Sequence, residues 1–242
     1  MDTVILVIEL IGVVAFAISG AVVAIDKETD MIGVLFLSHI TTFGGGIMRD
    51  IILGRVPAYF TSMWPYLIIC TITSFLVFLL ARLFKKWYVV NKRRVLDINN
   101  YIDAAGLGAF AVSSVKLALE LHPEAGAFLA IMMGVITSIG GGMVRDVCMQ
   151  DVPFVFRKRI YALAAAAGAG AYYVIAVYLM PTELGEVVAS IVGMLSVFLI
   201  RVLATVFRLN MPKAIRFSEQ LEIAHEIEVE ETSKDFETGK IK

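Results

Sequence analysis

Charge is scarce in this sequence. Acidic and basic residues fill 18% of its 242 positions against 59% apolar ones, and the mean hydropathy is +0.82, a balance that does not suit a soluble surface. The chain reads as an integral membrane protein. Cysteine is nearly missing: Cys70 and Cys148 have neither CxxC nor metal-ligand spacing, so no redox or metal role follows from them. Walker A, GxSxG and HExxH motifs and Cys/His clusters are lacking, which argues against an enzyme, a bound metal and a resident cofactor. Alternating ten-residue runs are lacking too, and with them the pattern of an outer-membrane barrel. The net charge of −1 does not point to nucleic acid as a partner.

What is present is long apolar runs. About 20 helical residues cross a hydrocarbon core of roughly 30 Å, and seven stretches have that length: Val4–Ile25, Met31–Leu53, Met63–Phe84, Ile98–Leu121, Glu124–Met149, Arg159–Met180 and Leu184–Phe207. The expected fold is all-α. The first stretch lacks a basic leader and an A-x-A site, so it is expected to be a retained span rather than a signal peptide.

Basic residues concentrate in alternate connections. The third holds Arg82, Lys85, Lys86, Lys92, Arg93 and Arg94, the fifth Arg157, Lys158 and Arg159, and the tail begins with Arg208, Lys213 and Arg216. By the positive-inside rule this places the N-terminus outside and the C-terminus in the cytoplasm of a multi-pass cell (inner) membrane protein. The segment Ser218–Lys242 holds eight acids and three lysines, a net −5, and reads as a solvated cytoplasmic tail or a partner-binding one.

The chain repeats itself. "GGGIMRDIILGRVP" from Gly44 aligns with "GGGMVRDVCMQDVP" from Gly140 at an offset of 96, with seven identities in fourteen. "IELIGVVAFAIS" from Ile8 aligns with "IDAAGLGAFAVS" from Ile102 at an offset of 94, with six identities and a Glu9/Asp103 acidic pair. Residues 1–92 and 93–182 are therefore expected to be two three-helix units, residues 183–210 a seventh span and residues 211–242 the tail. Three spans per unit force the copies into opposite orientations, the inverted repeat of many transport proteins.

The shared motif raises a chemical question. Three adjacent glycines weaken a helix by about 3 kcal/mol relative to alanine. Gly44, Gly45, Gly46 and Gly140, Gly141, Gly142 fall near or just past the midplane, and the expectation is a kink or an unwound turn there. Carbonyls freed by a break are tolerated at membrane depth where they are buried in protein or line a water-filled path, and there they can ligate a cation. Close helix packing is the other use of such glycines. Thr41, Thr42, Thr137 and Ser138 precede them and offer further oxygens or bond back to their own helices. Charges at this depth are normally paired, so two clusters are expected, Glu9 with Arg49 in the outer half and Asp103 with Arg145 in the inner half. Asp50 and Asp146 complete these networks or attract cations at the two mouths. His39 reads as a packed, interhelical hydrogen-bonding residue, Lys116 as snorkelling toward the headgroups, and Phe16 and Phe110 as core or constriction.

These motifs, from Val4 to Phe207, resemble the prokaryotic branch of the trimeric intracellular cation (TRIC) channels, a repeat also known as the bacterial glycine-transporter domain. The resemblance implies a homotrimer in the lipid bilayer with one pore per protomer, lined by the second and fifth helices and conducting K⁺ and Na⁺ as permeant ions. Animal members carry a Lys-Glu-Val motif in the fifth helix that contributes to phosphoinositide binding. Here that region reads "TSIGGGMVRD", and no such site is transferred. Two functions stand at this point: a monovalent cation channel, and a secondary transporter for a small zwitterion such as glycine.

Overall fold

The computed structural model describes residues 3–157 and 160–207. Seven long helices account for most of them: α1 (Thr3–Asp26), α2 (Met31–Ile52), α3 (Trp64–Leu83), α4 (Lys92–Leu121), α5 (Gly126–Cys148), α6 (Ile160–Leu179) and α7 (Glu183–Val206). Each is long and apolar enough to cross a membrane. Lys158, Arg159, the basic residues from Arg208 onward and the acidic tail lie outside the described residues.

Local chemistry sets the boundaries. Asp30 caps α2 by accepting from the Gly33 backbone N–H at 2.7 Å, Thr182 caps α7 through Gly185 at 3.1 Å, and Pro65 sits in the first turn of α3. α4 begins six residues earlier than the apolar run, at Lys92, and the third connection carries its own short helix, Lys85–Val90. Lysine and arginine are good helix formers, so a helix can outrun the hydrocarbon that hydropathy detects.

The bundle is inside-out relative to a soluble protein. Ile32, Phe36, Val56 and Leu80 are among many large apolar side chains turned outward, whereas the bulkiest fully buried side chains are Arg49 and Arg145. An apolar exterior and a polar interior suit a hydrocarbon solvent. α4 is the most enclosed span, and α3 buries only Tyr66, Cys70 and Ser74.

Two antiparallel crossings form the centre. α1 packs on α4, with Gly12 against the Phe110 ring and Gly106 against the Phe16 ring; the two rings touch at 5.2 Å between centroids. α2 packs on α5, with Gly45 against Thr137 and Gly141 against Thr41. In both crossings each contact recurs with the repeats exchanged, the signature of a pseudo-two-fold axis. The fold is thus two inverted three-helix repeats, α1–α3 and α4–α6. α7 stands outside them and packs on α6 through Gly168 and Gly193, and on α4. Phe16 and Phe110 are core at the axis.

Candidate functional site

The glycine motifs do not break their helices. α2 runs helical through Gly44–Gly46 and α5 through Gly140–Gly142, so the expected unwound turn and its freed carbonyls are not formed. The physical reason is on the opposite helix. A Cβ on Gly45 would overlap the Thr137 carbonyl oxygen, and one on Gly141 would overlap the Thr41 carbonyl oxygen. The missing side chains let two backbones touch, which offsets the weak helix propensity of glycine with interhelical packing. The other glycines also have neighbours: Gly46 seats the Tyr59 ring, Gly142 lies beside the Tyr161 hydroxyl, and Gly44 and Gly140 face Gly141 and Gly45.

The Arg-Asp pair that follows serves as a strut. Arg49 donates through Nε to Asp50 Oδ1 at 2.9 Å, and Asp50 Oδ2 accepts from the Ala58 backbone N–H at 2.9 Å. In the second repeat Arg145 donates to Asp146 Oδ1 at 2.9 Å, and Asp146 Oδ2 accepts from the Phe154 backbone N–H at 2.8 Å. Each aspartate thus ties its helix end to the chain just after the Val-Pro of the motif, which accounts for the spacing GGGxxRD…VP. Of the two roles open to these carboxylates, completing the network fits Asp50, whereas Asp146 both completes its network and lines a cavity. Asp50 is fully buried with both oxygens engaged, so it does not line a mouth.

The repeats diverge at the tips of the arginines. Arg145 Nη1 reaches Ser19 Oγ at 2.9 Å and Asp103 Oδ1 at 3.3 Å, while Ser19 donates to Asp103 at 3.0 Å, a closed triad across α5, α1 and α4. Arg49 Nη1 instead reaches Ser114 Oγ at 3.2 Å. Glu9 forms no ion pair with Arg49 at contact distance. Its Oε2 and the Ser113 Oγ are buried without a hydrogen-bond partner among the described residues. Glu9 and Arg49 share a cavity of about 380 Å³ with Arg55, Ser113, Lys116 and Glu120. At the other end of α1, Asp26, Lys27, Asn99, Asp146 and Asp151 line a second cavity of about 270 Å³.

The remaining polar residues find local partners. Thr41, Thr42 and Ser138 donate to carbonyls of their own helices, at 2.7, 2.8 and 3.0 Å, while Thr137 Oγ1 is buried without a partner among the described residues. His39 bridges the Leu35 carbonyl and Thr71 of α3, an interhelical tie. Lys116 does not snorkel: it is 7% exposed and bonded to Glu186 of α7.

Three participants escape a reading of the repeats. Arg201 of α7 is 3% exposed and stacks over the Tyr161 ring at 4.6 Å, joining the Arg145 end; its signal is a lone arginine in the apolar seventh span. Tyr59 and Tyr161 occupy matching places under Gly46 and Gly142, yet the 96-residue offset does not align them. Burial pushes the Tyr59 phenol well above its ordinary range, so it stays protonated.

Comparison with known proteins follows the same architecture. The family model described as "Glycine transporter" matches residues 6–82 and 100–177. The UPF0126 inner membrane protein YadS of Escherichia coli K12 is 35% identical over 212 residues, spanning 85% of this chain and 93% of its own. Among solved structures, the TRIC trimeric intracellular cation channel orthologue from Rhodobacter sphaeroides aligns with a TM-score of 0.74 at 32% identity, covering 86% of this chain and all of that one. A prokaryotic TRIC channel crystallised in 0.5 M KCl aligns at 0.76 with 31% identity, covering 87% and 100%.

Proposed function

The chain belongs to the membrane-protein family that the glycine transporter model describes and that includes the TRIC channels, and we propose that it is a cation channel conducting K⁺ and Na⁺. One observation carries the reading beyond likeness. A cavity with charged side chains in its wall lies at each end of α1, and between them α2 and α5 meet backbone to backbone at the glycines. This is the layout of a conduit held shut at its middle. In this reading the ion path runs between α2 and α5, the crossing of Gly45 and Gly141 is the barrier, and the arginine networks hold the walls. Thr137 Oγ1, without a partner among the described residues, is the hydroxyl that faces the path when the helices part.

The protein works as a homotrimer with one path per protomer, in the inner membrane, with the N-terminus outside and the basic connections in the cytoplasm. Its ions are permeants and no cofactor is needed. The test is purified protein in a planar bilayer under a KCl gradient, where discrete current steps reversing near the K⁺ potential are expected. One observation favours a second reading, zwitterion transport: the Arg49-end cavity brings the Glu9 carboxylate alongside Arg55 and Lys116, opposite charges in a space of amino-acid size. Electrical silence combined with saturable glycine uptake into proteoliposomes would sink the channel in favour of that transporter.

A further inference from the structure

An open groove lies on the α1, α3 and α4 side of the bundle, sharing Asn99 with the cavity at the Asp146 end. α1, α3, the short helix Lys85–Val90 and α4 enclose a space of about 610 Å³ whose wall is built from Ile18, Val22, Val77, Phe84, Ile98 and Ile102. Two polar groups interrupt that wall. Tyr88 and Asn99 line the groove, and the Tyr88 hydroxyl and Asn99 Oδ1 are buried without a hydrogen-bond partner among the described residues. Asn99 is 7% exposed, so bulk water does not satisfy it.

The segment forming one lip is strongly basic. Arg82, Lys85 and Lys86 alternate with the groove residues Ala81, Phe84 and Trp87, and all three are exposed. Arg93 and Arg94 follow on the exposed first turn of α4, beside Val95 of the groove, while Lys92 is taken up by Asp26 at 2.6 Å. The groove thus combines an apolar wall and a tyrosine with an exposed basic segment interleaved with its lining residues. A phospholipid presents the matching groups: acyl chain, glycerol ester, phosphate.

We propose that this groove holds an anionic glycerophospholipid. One acyl chain lies along the aliphatic wall, an ester carbonyl accepts from the Tyr88 hydroxyl, and the phosphate sits at the Arg82, Lys85 and Lys86 rim. A zwitterionic lipid matches the wall equally well but gains less at the rim, because each basic residue near an anionic headgroup adds attraction. The proposal is independent of what the conduit carries.

Trp87 makes the test direct. It lines the groove and is 59% exposed, and the chain holds only one other tryptophan, Trp64. The full chain with Trp64→Phe is reconstituted into two bilayers of equal parts phosphatidylglycerol and phosphatidylcholine. In one the phosphatidylglycerol chains are brominated, and in the other the phosphatidylcholine chains. Surface charge is then identical, and Trp87 quenching reports which lipid fills the groove. Brominated phosphatidylglycerol is expected to quench as an occupant favoured about fivefold or more. Arg82→Gln with Lys85→Gln and Lys86→Gln is expected to equalise the two bilayers while quenching persists. Equal quenching in the parent, a preference that survives the triple substitution, or no quenching from either lipid because a second copy covers the groove would each overturn it. If the triple variant does not reconstitute, native mass spectrometry of the parent decides: phosphatidylglycerol retained over phosphatidylcholine supports the site, and no selective retention overturns it.

Discussion

The carbonyl oxygen of Thr137 lies where a side chain on Gly45 would have to be. The contact recurs between Thr41 and Gly141, so the two helices are held at a distance that only glycine permits. Gly44 differs: a Cβ there meets the Gly141 Cα at 3.5 Å, an ordinary contact. Gly45→Ala and Gly141→Ala are each expected to destabilise the protein by about 1–3 kcal/mol, the range of overpacking in a close-fitting interior. Gly44→Ala is expected to be neutral or to gain up to about 1 kcal/mol from helix propensity. Thermal unfolding of the three variants in one detergent checks the contrast, and equal effects would show that propensity rather than contact decides.

The two struts differ in redundancy. Arg145 has Asp103 as well as Asp146 within ion-pair distance, whereas the buried carboxylate on Arg49 is Asp50. Removing the sole partner of a buried charge costs about 3–5 kcal/mol. Asp50→Asn is therefore expected to fall in that range and Asp146→Asn to cost less, about 1–3 kcal/mol. Both variants also loosen the following turn, since each aspartate accepts from the backbone there. Unfolding midpoints that rank Asp146→Asn as the more damaging would contradict the assignment.

The seven spans and the duplication were legible because hydropathy and identity need no three-dimensional information. The use of the glycines was not. A GGG triplet suits a broken helix and a close crossing alike, and what separates them is the Thr137 carbonyl on another span. The Arg145–Asp103 contact and the missing Glu9–Arg49 contact look the same on paper, since glutamate and aspartate are interchangeable as charges. They differ by one methylene, and the longer side chain ends in a cavity. Tyr59 and Tyr161 stayed hidden because one lies in a short 3₁₀ turn and the other at the start of α6, so equivalent places in space have unequal offsets in sequence.

The repeat also exposes a strained position. After α2 the chain turns through Gly54 at φ 72°, and after α5 the matching residue, Gln150, is held at φ 56°. Left-handed backbone costs a non-glycine residue about 1–2 kcal/mol. Gln150→Gly is expected to stabilise by about 1 kcal/mol, less what glycine loses in chain entropy, and Gly54→Gln to destabilise by a similar amount. Paired melting curves check the two signs together.

Glu9 and Asp103 separate stability from conduction. Asp103 accepts from both Ser19 and Arg145, so Asp103→Asn removes the charge that a buried guanidinium faces and is expected to cost about 1–3 kcal/mol. Glu9 lines a cavity and is buried, with Oε2 lacking a hydrogen-bond partner among the described residues, so Glu9→Gln removes a buried charge without removing a bond to that oxygen and is expected to leave stability unchanged or slightly raised. Its effect belongs to the ions. A single charge about 8 Å from a cation is worth roughly 0.5–2 kcal/mol between the dielectric of water and that of a protein surface, a factor of about 2 to 30 in local cation concentration. Single-channel current in low KCl should therefore drop in Glu9→Gln and recover as salt screens the field. A variant that melts early but conducts normally would mean that Glu9 is a structural residue and that cations enter elsewhere.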